Sequence, residues 1–379
     1  MTGSIYGRFG LRTVINASGK MTNLGGSVLS TGAADALRAA SQDHVDLEEL
    51  LTRAGELVAE ATGAEAAWMT TGAAAGIVLS VAAVLAGTDP YRISLLPDAS
   101  FTTRREVVLQ AQHLVNFGAP VTQMIRMGGG VPVVVGAVNA TSGAQIDAAL
   151  GPTTAAVVFV QSHHAVQKGA SSLAEVIAIA HRRGLPVILD AAAEEDLRCY
   201  VAAGVDLVTY SGGKAIGGPT CGFVAGRRDL IDAVRAQGRG IGRPMKVGKE
   251  QVAGFLVALQ EYFLAGEDAI ARRNLRSVGL ADLLQGLPGL TVGLERDEAG
   301  RDITRVALRP GSEAGLSARE LAAALANGSP SIRCRTHQVS LGVLFVDPRE
   351  LPSGAEAIIA GRVREIVLES VAAVASRGR

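Results

Sequence analysis

A lysine stands among glycines in the segment YSGGKAIGGP, residues 210–219, directly after the apolar run VDLVTY. This residue, Lys214, could do chemistry, because a lysine that is partly shielded from water at a strand end can have its pKa lowered and act as an amine nucleophile. Taken alone, Lys214 could equally be a surface residue on a loop. Its chemistry therefore depends on which residues the fold brings beside it.

A carboxylate follows the preceding apolar run in the same way. The segment LPVILDAAAE ends its apolar stretch at Asp190 and continues with three alanines. An aspartate and a lysine at successive strand ends suit pyridoxal 5′-phosphate (PLP): the carboxylate keeps the pyridine nitrogen protonated, and the lysine holds the aldehyde as a Schiff base. The small side chain of Ala192 would let the flat ring lie against the backbone. Taken alone, Asp190 could also be a helix N-cap.

A cradle for the phosphate is predicted in the segment MTTGAAAGIVLSVAAVLAG, residues 69–87, which has the pattern of a strand end, a turn and an apolar helix. Free N–H groups and the positive end of the helix dipole meet at such a turn, and small residues let phosphate oxygens approach. The candidate contacts are Thr71, Gly72 and Ala73. Ser211, three residues before the lysine, could add a hydroxyl. Without the carboxylate and the lysine, an ordinary strand-to-helix turn would be the simpler interpretation.

Alternating apolar runs and helical patterns predict the elements that position these residues. The runs AVVFVQS (156–162), LPVILDAA (185–192) and VDLVTYSG (205–212) are strand-like, and SLAEVIAIAHRRG (172–184) is typical of a helix between them. Because each run is continuously apolar, we expect strands of a parallel sheet that is covered on both faces. Such doubly wound α/β folds bind ligands at the carboxyl ends of their strands, where the carboxylate and the lysine fall.

The length of 379 residues favours more than one domain. We expect an N-terminal segment with helices that covers the active site over residues 1–60, a large α/β domain over 61–265 and a small α+β domain over 266–379. Apolar residues make up 48% of the chain and aromatic residues 4%, so the core must consist largely of aliphatic side chains.

Charge and composition exclude several classes of protein. The 36 basic and 36 acidic side chains give a net charge of +0, which lacks the electrostatic footprint of a nucleic-acid-binding protein. No long apolar run is free of charges, so we expect no membrane span and no membrane partner. The N-terminus has no apolar signal-peptide region, and the three cysteines are scattered. These features favour a cytoplasmic protein.

Several segments carry a family resemblance. In the order TTGAAAG, LDAAAE and YSGGK, the chain resembles fold-type-I PLP enzymes of the aspartate aminotransferase superfamily. The segments INASGKMTNLGGS, GAEAAWMTTGAAAG, VDLVTYSGGKAIGGPTCGFVAGR and GIGRPMKVGKEQVAG resemble the selenocysteine synthase-like branch of L-seryl-tRNA selenium transferase relatives. SHHAVQKGASSL, DAAAEEDLR and FVDPREL fit its D-glucosaminate-6-phosphate ammonia-lyase subgroup. The resemblance spans nearly the whole chain and implies a large doubly wound sheet domain with a smaller α+β domain.

For the cofactor, the resemblance implies specific residues. Lys214 would be the attachment lysine, and Asp190 would be the partner of the pyridine nitrogen. The phosphate contacts would be Thr71, Gly72, Ala73 and Ser211. His113, in LQAQHLVNFG, would stack on the cofactor ring, with a buried structural histidine as the alternative.

For the substrate, the resemblance implies an arginine that binds the α-carboxylate. Arg335 in SIRCRTHQV is the candidate, and Arg333 lies on the same side if the run is a strand. Asn23 in KMTNLGG would touch the substrate, and Arg243 in GIGRPMK would reach an active site across the interface of a homodimer or higher oligomer. Further candidates for a phosphosugar pocket are Arg104, Arg105 and Lys246.

The adjacent histidines His163 and His164 do not form a convincing metal site. Adjacent strand residues point to opposite faces, and no cysteine or carboxylate completes a ligand set, so we expect no metal. One of the pair, at the end of a strand, would rather face the active site.

The expected reaction is an ammonia-lyase reaction on a 2-amino-3-hydroxy acid, with D-glucosaminate 6-phosphate or a similar sugar amino acid as the substrate implied by the resemblance. A racemase, aldolase or aminotransferase would use the same lysine and aspartate and stays open. Selenium transfer on a charged tRNA is disfavoured by the neutral charge. A non-catalytic PLP-binding module is disfavoured because Lys214 is present.

Overall fold

The computed structural model describes residues 4–162, 165–266, 268–297 and 302–377. Its strands are β1 Val14–Ala17, β2 Ala66–Thr70, β3 Glu106–Gln110, β4 Val131–Val135, β5 Thr154–Val160, β6 Val187–Asp190, β7 Leu207–Ser211, β8 Gly222–Gly226, β9 Leu290–Arg296, β10 Thr304–Pro310, β11 Ser331–Cys334 and β12 Leu344–Val346. Its helices are α1 Thr31–Ala40, α2 Leu47–Thr62, α3 Ala73–Ala86, α4 Pro90–Leu95, α5 Val121–Met127, α6 Gly143–Ala149, α7 Leu173–Arg182, α8 Cys199–Ala202, α9 Arg228–Ala236, α10 Lys249–Ala265, α11 Asp268–Leu284, α12 Ala318–Asn327 and α13 Ala355–Arg377. Within these residues, no helix has the length and apolar character needed to cross a membrane.

The chain divides into two compact units, and the large unit comprises Leu29–Phe263. Its seven-stranded sheet has the order β2-β8-β7-β6-β5-β3-β4. Strand β8 is antiparallel to both of its neighbours, β2 and β7, and the other pairs are parallel. The sheet therefore confirms the predicted doubly wound, mostly parallel architecture.

Strand β5 shows why the apolar runs are continuous. Its residues are buried along their whole length, and successive side chains join different core clusters. Val157 and Phe159 pack into the cluster on one face, whereas Val158 and Val160 pack into the cluster on the other. Because both faces are covered by helices, no position on this strand can be polar without cost.

Helix α3 packs tightly on the centre of the sheet. It is apolar on nearly all sides and buried along most of its length, as expected for a helix inside the domain. A Cβ at Gly76 would lie 3.0 Å from both Cβ and Cγ2 of Thr209 on β7. This close approach needs a glycine, and it fixes the first turn of α3 at the carboxyl edge of the sheet.

The helices between residues 31 and 62 belong to the large unit. Asp46 caps α2 by accepting the N–H groups of Glu48 and Glu49 at 2.9 and 3.0 Å. A Cβ at Gly55 would lie 2.3 Å from the carbonyl oxygen of Ala67 on β2, so α2 lies directly against that strand. These helices are thus part of the sheet's own packing.

The small unit joins residues up to Val28 with residues from Leu264 onward. Strands β9, β10 and β12 form an antiparallel sheet with β10 in the centre. Strand β1 pairs in parallel with β11, from Val14 opposite Ser331 to Ala17 opposite Cys334. The expected N-terminal segment over residues 1–60 is therefore divided: its first part adds a strand to the small unit, a long-range pairing that local sequence does not reveal.

Candidate active site

Three strand ends meet at one edge of the large sheet. Strands β2, β6 and β7 run in the same direction, so the turn after Thr70, the side chain of Asp190 and Ser211 fall at the same edge. Gly222, the first residue of β8, pairs with Thr70 on one side and Ser211 on the other. The structure thereby brings together the residues predicted to bind phosphate, ring nitrogen and aldehyde.

Asp190 is a buried carboxylate with few compensating partners. Its side chain is 6% exposed, and Oδ1 accepts the N–H of Ala192 at 3.1 Å. Burial raises the pKa of Asp190, while the positive charge of Lys214, the hydrogen bond from the Ala192 backbone and the hydroxyl of the Thr209 side chain act in the opposite direction. A cationic group that entered this site would hold the carboxylate in its charged form.

Lys214 lies on a tight loop between the antiparallel strands β7 and β8. The N–H of Gly212 donates to Cys221 O, and the N–H of Gly218 donates to Gly212 O, both at 2.8 Å. A Cβ at Gly212 would lie 2.5 Å from Sγ of Cys221. Gly212 is therefore needed to fold the loop, which leaves Lys214 half-buried beside Asp190.

The turn before α3 has the features of an anion cradle. The hydroxyl of Thr70 donates to Gly72 O at 2.9 Å and shapes the turn. The first amides of α3, beginning at Ala73, have no carbonyl partner within the helix, as at every helix start. No atom of the described residues lies within 4 Å of a Cβ position at Gly72, so space is open beside the half-buried Thr71. These donors and this space fit a phosphate.

His113, the candidate for stacking on the cofactor ring, is buried. Its side chain is 0% exposed, and Nδ1 accepts the N–H of Val160 at 3.2 Å. The rings of His113 and Phe159 pack edge to face, with 4.3 Å between their centroids. Burial lowers the pKa of His113 to about 4, so the ring is neutral. Its Nε2 is buried without a hydrogen-bond partner in the described residues, so the histidine is not fully satisfied, and its stacking on the cofactor stays a prediction.

The two candidate arginines of the small unit differ in environment. Arg333 is exposed on β11, whereas Arg335 is 9% exposed. The Arg335 backbone pairs with Phe345, and Nε of Arg335 is buried without a hydrogen-bond partner in the described part of the chain. Burial, followed by the charges of Arg305 and Arg349, lowers the pKa of Arg335 to about 10. Of the pair, Arg335 has the free hydrogen-bonding capacity of an anion site.

Two other predicted substrate residues are exposed. Asn23 lies on a short 3-10 helix, Thr22–Leu24, in the small unit. Arg243 belongs to the large unit and lines a cavity of about 720 Å³ together with Trp68 and Lys246. Their contribution to substrate binding stays a prediction.

Arg104 and Arg105 lie at the wrong end of the sheet for a phosphosugar pocket. They precede β3, whose carboxyl end lies at the active-site edge, and Arg104 Nε donates to Thr154 O at the start of β5 at 2.8 Å. The direction of β3 therefore places both arginines away from the predicted phosphosugar pocket at the other edge of the sheet. His163 and His164 lie outside the described residues.

Sequence reasoning missed the residues that support the site. Gly222 and Gly76 allow the backbone approaches around the phosphate turn, and Asp347 organises the surroundings of Arg335. A signal for Asp347 was present, because VLFVD repeats the pattern of an apolar run that ends in aspartate, as in PVILD.

A model of the L-seryl-tRNA selenium transferase family matches residues 14–280. The chain belongs to this family. It is 43% identical over 367 residues to D-glucosaminate-6-phosphate ammonia lyase of Salmonella typhimurium, covering 97% of this chain and 98% of the relative. It is 45% identical over 368 residues to 5′-C-glycyluridine monooxygenase-decarboxylase of a Streptomyces species, covering 96% and 92%.

The solved structures agree. That of a D-glucosaminate-6-phosphate ammonia-lyase matches with a TM-score of 0.90 at 42% identity, covering 98% of this chain and 100% of the other. A serine palmitoyltransferase of Sphingomonas wittichii shares the fold at 17% identity, with a TM-score of 0.59 over 95% and 88% of the chains. The predicted fold type I and the predicted branch are confirmed, and the family and fold confirm PLP as the cofactor of this enzyme.

Proposed function

We propose that this enzyme is a PLP-dependent ammonia-lyase that acts on a 2-amino-3-hydroxy acid of the sugar amino acid type, such as D-glucosaminate 6-phosphate. The observation that carries the proposal is that the carboxylate of Asp190 is buried at the sheet edge, where it interacts with the positive charge of Lys214. The name of the Salmonella relative supports the choice of reaction and substrate class.

Each proposed cofactor contact has a physical reason. Asp190 would pair with the protonated ring nitrogen, which relieves the cost of burying its charge. Lys214 would attach the cofactor covalently, and Ala192 would leave room for its ring. The phosphate would be bound by the open turn and the hydroxyl on β7, through Thr71, Gly72, Ala73 and Ser211. When bound, PLP supplies an electron sink for the negative charge that develops when a proton leaves Cα.

Lys214 is the proposed catalytic base. With the substrate in place, the amino group of Lys214 would lie close to the substrate Cα and would remove the proton there. The hydroxyl on Cβ would take up a proton and leave as water, which gives an enamine. A proton would then shift from the enamine nitrogen to Cβ, and water would hydrolyse the resulting imine to the 2-oxo acid and ammonia. The net products are one 2-oxo-3-deoxy acid and one ammonia for each substrate.

Arg335 would bind the α-carboxylate of the substrate. Its side chain is mostly buried, and its Nε has no hydrogen-bond partner in the described residues, so a carboxylate could satisfy this donor. A carboxylate held by a guanidinium would restrict the orientation of the substrate Cα. Asn23 and Arg243 would make further polar contacts with the substrate, Arg243 from a second copy of the chain in a homo-oligomer. We place the enzyme in the cytoplasm.

Oxidative decarboxylation is the second candidate, because the Streptomyces relative with that name is 45% identical over nearly the whole chain. It would use the same lysine and aspartate but would consume oxygen and release carbon dioxide. Oxygen dependence therefore separates the two functions without knowledge of the exact substrate.

The test is an anaerobic screen of 2-amino-3-hydroxy acids, free and phosphorylated, in both configurations at C2. We expect ammonia and 2-oxo acid in equal amounts without oxygen for at least one sugar amino acid. Turnover that requires oxygen and releases carbon dioxide would replace the lyase proposal with the second candidate. A racemised or transaminated product would contradict both.

A further inference from the structure

Five charged side chains are buried together in the small unit around the end of β12. They are Asp297, Arg305, Arg335, Asp347 and Arg349. These five side chains of the described residues comprise three guanidinium groups and two carboxylates, so by themselves they carry one net positive charge. Buried charges are usually paired, since an uncompensated one is costly. The contacts within this cluster determine which arginine has a donor available for a ligand.

Asp347 determines which arginine that is. Its Oδ2 accepts Arg305 Nε at 3.1 Å, and Arg349 donates to both carboxylate oxygens, from Nε at 2.9 Å and Nη2 at 2.8 Å. Asp297 takes a further Arg305 donor, Nη2, at 2.7 Å. Arg305 and Arg349 thus donate to Asp347, and Arg305 also donates to Asp297. Arg335 Nε is buried and donates to no acceptor in the described part of the chain.

Asp347 also holds the N-terminal strand in place. Its N–H donates to Ala17 O at 2.8 Å, directly beyond the pairing of β1 with β11. A Cβ at Gly19 would lie 2.7 Å from Oδ2 of Asp347, and Gly19 has φ +80°, so only glycine fits there without strain. A second contact holds the same segment. Glu350, three residues after the aspartate, forms a salt bridge with Lys20 at 3.7 Å, and both side chains are mostly buried.

The segment fixed in this way leads directly to a predicted substrate contact. Residues Met21 and Gly26 pair across a turn that carries Asn23 at its tip. Arg335 is anchored from the other side, because its backbone exchanges two hydrogen bonds with Phe345, two residues before Asp347. One buried carboxylate therefore links the two residues of the small unit that the sequence assigns to the substrate.

We propose that Asp347 is a positioning residue for substrate binding, which engages Arg305 and Arg349 so that Arg335 is kept for the substrate carboxylate and which fixes the segment that carries Asn23. The inference rests on the proposed function, since that function gives Arg335 its carboxylate. An amide at position 347 could not fill this role, because one of its two terminal atoms donates hydrogen bonds and it carries no charge.

The test compares two variants that remove the same charge from the same cluster. Asp347→Asn should raise KM for the amino acid substrate by roughly tenfold or more, the loss expected when a charge-assisted hydrogen bond is misplaced, with a smaller change in kcat. Asp297→Asn loses one acceptor of Arg305. It keeps the Asp347 contacts with Arg349 and with Ala17, so its KM should change much less. The visible absorbance of the bound cofactor should be the same in both variants.

A second measurement does not depend on activity. Lys20 has a side chain that is 9% exposed in its salt bridge, so trypsin should cleave after it slowly in the native protein. Asp347→Asn should accelerate this cleavage several-fold as the segment is released, whereas Asp297→Asn should not. Equal cleavage rates and equal KM values in the two variants would overturn the inference. Asp347 would then only balance the charge of the neighbouring arginines.

Arg349→Gln serves if Asp347→Asn fails to fold. Removing this arginine frees acceptor capacity on Asp347, which can then pair with Arg335 and compete with the substrate, so KM should rise although a cation has been lost. An unchanged KM would contradict the inference. A wild-type enzyme that turns over no amino acid, or an Arg335→Gln variant with unchanged KM, would instead show that the proposed function itself is at fault.

Discussion

Two aspartates end apolar strands in the two units, and their surroundings differ. Asp190 is the last residue of β6 in the large unit, and Asp347 directly follows β12 in the small unit, with exposures of 6% and 0%. Burial raises the pKa of Asp190, and the charge of Lys214 offsets this only in part. Burial acts in the same direction on Asp347, but Arg349 and Arg305 outweigh it and lower its pKa.

The difference separates a ligand site from a structural ion pair. Asp347 has its acceptors occupied by arginines of its own chain, so it organises the neighbouring residues. Asp190 accepts one backbone hydrogen bond at 3.1 Å and lies near an amine that the proposed chemistry displaces. A buried charge whose compensation is incomplete within the chain is what a charged cofactor or substrate can complete.

Lys214→Ala should have the largest effect on activity. Loss of the attachment amine and the catalytic base should lower kcat by at least about 10²-fold, and the visible absorbance of the lysine-bound cofactor should disappear. Steady-state kinetics and absorbance spectra measure both. Lys168→Ala, which truncates an exposed lysine of the same unit, is the matched control and should keep both properties. Wild-type turnover by the Lys214 variant would remove the basis for the site.

Asp347→Asn should lower the stability of the apoprotein, whereas Asp190→Asn should not. Breaking a buried ion-pair network on one side costs about 3–5 kcal/mol, because it leaves guanidinium groups without their partner. Asp190→Asn removes a buried charge that the apoprotein compensates incompletely. Urea unfolding of the cofactor-free protein at pH 7 measures both changes. Equal losses of stability would erase the proposed distinction between the two aspartates.

Gly222→Ala should disturb the phosphate turn. A Cβ there would lie 2.5 Å from Tyr210 O and 2.7 Å from the carbonyl carbon of Gly72, so the strand or the turn must move. We expect weaker PLP binding, by roughly tenfold, together with about 1–3 kcal/mol of lost stability. Gly213→Ala is the control, because its Cβ would meet the nearest atom at an ordinary 3.4 Å. Fluorescence titration with PLP measures the affinity.

The contributions of the two aspartates to the free energy of unfolding should also change with pH in opposite directions. This is the smallest of the expected effects. The folded-state pKa of Asp347 is lowered, so its contribution is fully present above the unfolded value of about 3.9 and is lost as pH falls through the lowered folded value. The folded-state pKa of Asp190 is raised, so in the apoprotein the cost of its ionised form is relieved as pH falls through that raised value. The free energy of unfolding is measured for the wild type and for each Asn variant as pH is lowered from 7. The difference between wild type and variant should disappear at a higher pH for Asp190→Asn than for Asp347→Asn.

The grouping of Asp190, Lys214 and the turn before α3 at one sheet edge was predictable because its signals are local. Each apolar run ends at a chemically distinctive residue, Asp190 or Ser211, and parallel strands place such ends at one edge. The glycines around Lys214 lie within the same loop as the lysine. Short sequence segments therefore predicted the attachment lysine, the carboxylate and the phosphate turn as a set.

The small unit was less predictable because its site depends on distant pairings. Asp347 meets the N-terminal strand only because β1 pairs with β11, more than 300 residues apart in the sequence, and it meets Arg305 only because β10 pairs with β12. Side-chain direction was also beyond the sequence: the short 3-10 turn Ala111–His113 directs the His113 ring into the core.

The most direct test of the account is to locate the cofactor on the chain. The purified protein, saturated with PLP, is reduced with borohydride, digested and mapped by mass spectrometry, with Asp190→Asn treated in parallel. The account predicts a pyridoxyl group on the peptide that contains Lys214, and a much lower occupancy in the Asp190 variant. A pyridoxyl group on another lysine, or none after saturation, would contradict it.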